Sequence, residues 1–410
     1  MTSTDLRKLR PDQWDEWYAN LELAFGGVPE SPEERETWRA LTEFERAIAA
    51  WDDGRIVGTA GSFSFRLSVP GGAVVPTAGV TAVSVAATHR RRGVLSAMMR
   101  RQLDDVRAAG EPLAILVASE PAIYGRFGYG IASRQLRAEI DTSRVRLTVP
   151  PDADGVRLRE ADPTAVLDAC EALYARLVPG RPGMLRRLPG WERLGVLDPE
   201  SRREGASPRR CVLAEVDGEL RGYARFAVRP EWDVAGPKGT VVLHDLEALD
   251  PAAYGALWRF LWGIDLTSTL QVGPRPVDDP WQHMVDDARR CGVRFRDSLH
   301  LRPVEVGAAL AARRYAAPVD VVLEVEDAFC PWNSGRWRLT GDASGAECVR
   351  TEAPAGLALT VGDLGAAYLG DTSLTALAGT GRVRELRSGA LAEAAGAFSW
   401  PVAPWLPHGF

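Results

Sequence analysis

The residues best suited to chemistry lie in the run Thr88-His89-Arg90-Arg91-Arg92-Gly93. Three guanidinium groups stand just before a glycine, and beyond it Val94, Leu95, Met98, Met99 and Leu103 recur at helical spacing. Cations are unfavourable at the start of a helix, where free N–H groups and the positive end of the macrodipole already attract an anion. The run therefore reads as a cradle for a pyrophosphate. Residues 80–85, just upstream, are rich in β-branched types, so the apolar period changes from two to about 3.6 across the turn. A P-loop is excluded, because no Gly-Lys-Ser/Thr ends the turn.

Other candidates sit further along. The continuous apolar run 113–118 is expected to be an interior strand covered on both faces, stopped by Ser119-Glu120-Pro121. Tyr124 follows its end, where α/β sheets open their ligand crevices. At the other end of the sequence, Trp400, Pro401, Pro404, Trp405, Pro407 and Phe410 make a tail too apolar and too stiff to fray, so it is expected to dock. His89, His244, His283, His300 and His408 lack Cys or carboxylate partners at ligand spacing, and no metal site is expected; His408 lies near enough to the tail to relay a proton. Cys170, Cys211, Cys291, Cys330 and Cys348 are odd in number and lack Cys-x-x-Cys spacing, which excludes a disulfide framework and points to a reducing cytoplasm. The first residues hold no apolar core of the kind a signal peptide needs, and no run of 18 apolar residues occurs, so no membrane partner is expected. A net charge of -6 with scattered arginines gives no support for nucleic-acid binding.

The elements that must position these groups follow a repeating order. A first edge strand over 6–10 leads to a helix carrying Trp14, Trp17, Tyr18 and Leu21, and Ser31-Pro32-Glu33-Glu34 opens a second with a capping box. Glu30, Glu33, Glu34, Glu36, Glu43 and Glu45 make this pair acidic, which reads as a solvated face. Segments 47–51 and 56–67 flank Asp53-Gly54, a hairpin signal. From residue 156 the pattern starts again: Asp217-Gly218-x-x-x-Gly222 echoes Asp53-Gly54-x-x-x-Gly58, with a strand at 241–249 and a helix at 254–262. Here the turn is Asp250-Pro251-Ala252-Ala253, which offers a phosphate nothing and would repel it. After about residue 301 come short strands at 319–326, 335–340, 346–351 and 356–361, then helices at 361–369, 373–378 and from 388, an α+β order.

Arg90-Arg91-Arg92-Gly93-Val94-Leu95 resembles the acyl-CoA motif of the GNAT superfamily of N-acetyltransferases, with Leu95 where the superfamily usually has Gly or Ala. Tyr124 with Gly128-Tyr129 resembles a second signature of the same enzymes. Together with the duplicated pattern, Phe329-Cys330-Pro331-Trp332-Asn333 and the terminal Trp405 to Phe410, these motifs make the whole chain resemble the Eis-type acetyltransferases. The resemblance implies an α/β and α+β architecture. Two tandem GNAT-like domains of mixed sheet with flanking helices, at 1–150 and a cofactor-less 151–300, precede a sterol-carrier-protein-like α+β domain at 301–410.

It also implies acetyl-CoA as co-substrate. Pantetheine would lie beside Val83, Ser84 and Val85, pyrophosphate at Arg91, Arg92, Gly93, Val94, Leu95 and Ser96, and the thioester near Ser119 and Glu120. Acetyl transfer to an amine needs a base for the ammonium and an acid for the leaving thiolate. By resemblance these are the C-terminal carboxylate, on Phe410, and Tyr124. A free α-carboxylate has a reference pKa of roughly 3.5, so it must act through water or be raised by burial. The implied substrates are primary amines, of aminoglycosides at several positions or of lysine side chains, and the implied assembly is a homo-hexamer, a trimer of dimers. Polyamines and arylalkylamines are alternative acceptors. A lipid-binding scaffold is the alternative outside enzymology.

Overall fold

The change of period around Gly93 is realised as a strand Val74–Val85, a 3-10 turn Ala87–His89 and a helix Val94–Ala108 that buries Val94, Met98, Met99, Leu103 and Val106 along one face. The computed structural model describes residues 5–410. The capping box at Ser31 forms as the sequence implies: Ser31 Oγ accepts from the Glu34 amide at 3.2 Å, and Glu34 Oε2 accepts from the Ser31 amide at 2.9 Å. Both Asp-Gly hairpins are present, with positive φ at Asp53 and Gly54 and again at Asp217 and Gly218. The internal repeat seen in spacing is thus a repeat in backbone conformation.

The first sheet has seven strands in the order Asp5–Lys8, Ile48–Asp52, Arg55–Ser68, Val74–Val85, Leu113–Val117, Leu299–Pro303 and Gly130–Ile131. The second runs Arg294–Asp297, Arg134–Asp141, Thr267–Pro276, Gly239–Ala248, Glu219–Arg229, Arg210–Val216 and Arg157–Ala161. Each sheet contains one parallel pair, Val74–Val85 with Leu113–Val117 and Gly239–Ala248 with Thr267–Pro276. The sheets do not divide at residues 150 and 300. Arg134–Asp141 crosses into the second sheet, and Leu299–Pro303 returns to lie between Leu113–Val117 and Gly130–Ile131 in the first. The exchange is driven by burial: all five residues of Leu299–Pro303 are buried, as an interior strand requires.

The third domain is α+β, as its order of elements implies. Its sheet runs Ala346–Arg350, Gly335–Gly341, Val319–Glu326, Leu357–Thr360 and Arg384–Glu385. Two elements escape the sequence pattern, the six-residue helix Val306–Ala311 and the two-residue strand Arg384–Glu385, both too short to show a period. Asp327, near the start of this domain, binds back to the first sheet by pairing with buried Arg302 at 2.5 Å, while Asn333 Oδ1 accepts from the Val306 amide at 3.1 Å and ties the third domain's own first helix. The guanidinium of Arg100 lies 3.9 Å from the centre of the Phe329 ring, so the Phe329-to-Asn333 motif backs the Val94–Ala108 helix.

Candidate active site

The strand Val74–Val85 is bent at one place. Its pairing with Arg55–Ser68 slips between Thr59 and Gly61, and Ala82 takes a φ of +51°, the mark of a bulge. Thr59 braces it, donating through Oγ1 to the Ala82 carbonyl at 2.6 Å and lying 2.7 Å from Ser84 Oγ. Gln102, on the following helix, donates to the Gly61 carbonyl at 2.8 Å. On the other side the parallel pairing with Leu113–Val117 runs only from Thr77 to Gly79. Beyond Gly79 the two strands part, and their main-chain groups face a cavity of about 1040 Å³.

The basic turn closes one end of that cavity. His89 Nε2 lies 2.9 Å from Asp52 Oδ2, which fixes the turn to the neighbouring hairpin and gives this histidine a carboxylate partner that its sequence spacing did not suggest. Arg91 and Gly93 both have positive φ, +62° and +84°, and no side chain caps the Val94–Ala108 helix. Its first amides are therefore free to meet an anion. Gly93 is needed for this conformation, which L side chains rarely adopt. Val83, Ser84, Val85, Arg91, Gly93, Val94, Leu95, Ser96, Ser119 and Glu120 all line the cavity. Arg92 does not, and Arg90 lines it instead.

Tyr124 sits on the 3-10 segment Pro121–Phe127, which follows the interior strand. Its ring meets Tyr129 edge-on with 6.1 Å between centroids. Burial first, and the charge of Glu120 second, push its phenol pKa up, so it keeps its proton. The end of this segment is held from outside the N-terminal region: Arg302 donates to the Phe127 carbonyl, and a Cβ at Gly128 would lie 1.7 Å from the same guanidinium. The glycine of the second motif is thus a space for Arg302.

The tail docks, and it reaches the same cavity. The Trp405 amide donates to the Pro182 carbonyl at 2.9 Å, Arg181 donates to the Ala403 carbonyl at 2.6 Å, and the Arg275 guanidinium lies 5.1 Å from the centre of the Trp405 ring. Phe410 then lies against the first sheet, its ring 4.9 Å from that of Phe65, and lines the cavity with Tyr124. His408 packs 5.9 Å from the Trp191 ring, and burial with the nearby Arg187 charge pushes its pKa down to about 3. Burial thus holds it in the neutral form.

At its far end the cavity is lined by Trp17, Tyr18, Trp38, Glu22, Glu30 and Glu43. Glu30 and Glu43, two carboxylates of the acidic face expected to be solvated, therefore turn inward, and Glu22 of the preceding helix joins them. Burial is the largest cause of the raised pKa of Glu30, which accepts a hydrogen bond from Tyr18. Arg202, from the second repeat, also lines this end. It lies in a stretch without apolar period, so spacing carries no signal for it. Among the described residues, no group of three or more His, Cys, Asp or Glu is arranged to hold a metal ion.

In the second repeat the corresponding positions are filled by side chains. Its helix Pro251–Trp262 is capped by Asp250, whose Oδ1 accepts from the Ala253 amide at 2.9 Å while Oδ2 takes Arg221 Nε at 2.8 Å. Where its parallel strands would part, Arg275 donates to the Leu246 carbonyl at 2.6 Å and pairs with Asp279. A carboxylate stands in the anion's place and a guanidinium bridges the gap.

A parallel pair parting at a bulge, with an open helix start at the parting, defines an N-acetyltransferase of the GNAT class. Family models described as acetyltransferase (GNAT) domains match residues 5–132 and 183–303, and one described as a sterol carrier protein domain matches 306–407. The N-acetyltransferase Eis of Mycobacterium tuberculosis is 34% identical over 405 residues, covering 95% of this chain and 96% of its own. A protein of Streptomyces avermitilis, named only as an uncharacterized N-acetyltransferase, is 69% identical over 408 residues and the full length of both chains. The crystal structure of Eis1 from Mycobacterium abscessus superposes with a TM-score of 0.84 at 34% identity over the whole of both chains. The chain belongs to the Eis-type family of GNAT N-acetyltransferases.

Proposed function

We propose that this acetyltransferase transfers the acetyl group of acetyl-CoA to primary amines of polycationic small molecules, aminoglycosides at several positions foremost. The observation that carries this reading is a single cavity that joins the open helix start beside Arg90 and Arg91 to an end lined by Glu22, Glu30 and Glu43. Acetyl-CoA supplies an activated thioester, and the free amides of a helix start next to two guanidiniums suit its diphosphate. Arg90, Arg91 and the amides from Gly93 to Ser96 would hold that diphosphate, and the parted main chain at Val83 to Val85 the pantetheine. Arg92 would contribute charge from outside the cavity wall. Ser119 and Glu120 lie where the thioester end would reach.

Tyr124, kept protonated by burial, gives its proton to the departing thiolate. The α-carboxylate of Phe410 takes the proton from the substrate ammonium. The carboxylates at the far end hold the remaining positive charges of the acceptor and keep water ordered around them. At about 1040 Å³ the cavity is slightly larger than the usual small-molecule site, which suits an acceptor presented in several orientations.

Lysine side chains, polyamines and arylalkylamines are narrower forms of the same reading. A lipid-carrying scaffold is disfavoured: the cavity of about 500 Å³ in the third domain is lined by Glu324, Glu326, Asp363, Arg382 and Arg384, a charged wall. Exposed Trp232, Val234 and Phe295 on the second repeat offer apolar surface for a homo-hexamer, which light scattering would measure. Five buried free cysteines are in keeping with the cytoplasm.

The test is thiol release from acetyl-CoA with kanamycin, tobramycin, spermidine and a lysine peptide, with mass spectrometry of each product. Multiply acetylated aminoglycoside supports the reading. CoA binding without release of thiol for any amine overturns it.

A further inference from the structure

The acceptor end of the cavity is not built by one domain. Arg202, at the end of the 3-10 turn Glu200–Arg202 in the second repeat, donates through Nε to Glu34 Oε1 at 2.8 Å and places NH2 3.8 Å from Glu30 Oε1. Glu34 is in the first turn of the Pro32–Leu41 helix of the first domain, and Glu30 immediately precedes its N-cap Ser31. The ion pairs around them are unequal. Glu22 has its own cation in Arg35, 2.6 Å away, and Glu43 is satisfied by the amide and hydroxyl of Ser64 at 2.7 and 2.6 Å. Glu34 has Arg202. Glu30 has the neutral Tyr18 hydroxyl and, among the described residues, only the shared Arg202 as a cation within 4.0 Å. Glu30 and Arg202 line the cavity, whereas Glu34 does not.

Resting on the reading above, we infer that Arg202 sets acceptor selectivity by charge, competing with a non-reacting ammonium of the acceptor for Glu30. The second repeat, whose own opening is bridged by Arg275, thereby contributes a specificity residue to the first. The physics is that of a half-exposed pair. The side chain of Arg202 is 58% exposed and that of Glu30 25%, so each can change partner at little cost, and their attraction is partly screened. An acceptor with one charge spends it at the reacting nitrogen and gains nothing from Glu30. An acceptor with three can displace the NH2 of Arg202 while its Nε stays on Glu34.

The test uses n-butylamine, 1,4-diaminobutane and spermidine, with one, two and three amino groups. For each, KM is measured by thiol release and Kd by calorimetry on the CoA-loaded full chain. Arg202→Gln is expected to tighten spermidine relative to butylamine by about threefold, the size of a screened surface pair. Glu30→Gln is expected to weaken it by a similar factor, Arg202→Lys to keep the original ratio, and the double variant to match Glu30→Gln, because Arg202 acts through Glu30. A merely structural tie between domains would shift all three amines by one common factor, and that result, or an unchanged ratio, overturns the inference. If the wild-type protein binds amines without releasing thiol, the acetylation reading fails while the Kd ratios still decide the role of Arg202. If no amine binds, both fall.

Discussion

Phe410 meets Phe65 edge-on, and the two rings share the space over Gly79, where a Cβ would lie 2.3 Å from one ring and 3.2 Å from the other. Phe410 is thereby seated on the strand whose bulge faces the cavity. On the proposed mechanism, residues appended after Phe410 displace its α-carboxylate from the cavity. A variant carrying a short polar extension is expected to lose at least about a hundredfold in kcat, the usual share of a general base. Phe410→Ala keeps a carboxylate and loses only the ring contact, so its loss should be smaller. Steady-state kinetics of the two variants decide the matter, and full activity in the extended one would remove the terminal carboxylate from the mechanism.

Tyr124→Phe removes the hydroxyl and keeps the ring packing against Tyr129. The expected outcome is a kcat lowered by about 10² to 10⁴ with the affinity for acetyl-CoA retained, read from kinetics and from CoA titration side by side. Unchanged turnover would show that the thiolate takes its proton elsewhere.

At the basic turn, Gly93→Ala forces a Cβ into a φ of +84° with open space around it, so the cost is backbone strain alone, about 1 kcal/mol. Arg91→Ala removes one cation from the cavity wall. Both variants should raise KM for acetyl-CoA, and Arg91→Ala should also flatten its dependence on salt, because an exposed charge acts through a screened field. Equal salt dependence in wild type and Arg91→Ala would place the diphosphate away from this residue.

Glu247 is buried in the second repeat, and desolvation pushes its pKa up from 4.5 to about 7 against the opposing influence of Arg275 and Arg187. Below pH 4.5 it is protonated whether the chain is folded or not, and it costs nothing. As pH rises towards 7 the unfolded chain ionises first, so stability is lost across that window and the full cost persists above it. Glu247→Gln should stabilise the protein above pH 7 by up to about 3 kcal/mol and hardly at pH 4.5. Denaturant titrations at both values measure the difference.

Strand, turn and helix around Gly93 were legible because the apolar period changes there, and the docked tail because its Trp and Pro content leaves little freedom. The bulge at Ala82 was hidden, since an alanine with positive φ leaves no trace in the sequence. Inward-facing Glu30 and Glu43 read as solvent-facing charge, because which way a helix pair turns is decided by Trp14, Trp17 and Tyr18 packing into the core and not by the acids themselves. The strand exchange was equally hidden. Leu299–Pro303 has the same pattern in either sheet, and only the full burial of Arg302 and its bond to the Phe127 carbonyl explain its place.

That exchange also governs how the enzyme comes into being. Synthesis delivers the other strands of the first sheet first, yet the row between Leu113–Val117 and Gly130–Ile131 stays vacant until residues 299–303 emerge. Until then a nascent chain exposes an interior strand edge, a hazard for wrong pairing. Contacts of such long sequence separation slow folding. A fragment ending near residue 150 would therefore carry the Arg90–Leu95 and Tyr124–Tyr129 motifs and still lack the strand that joins the two edges of the first sheet.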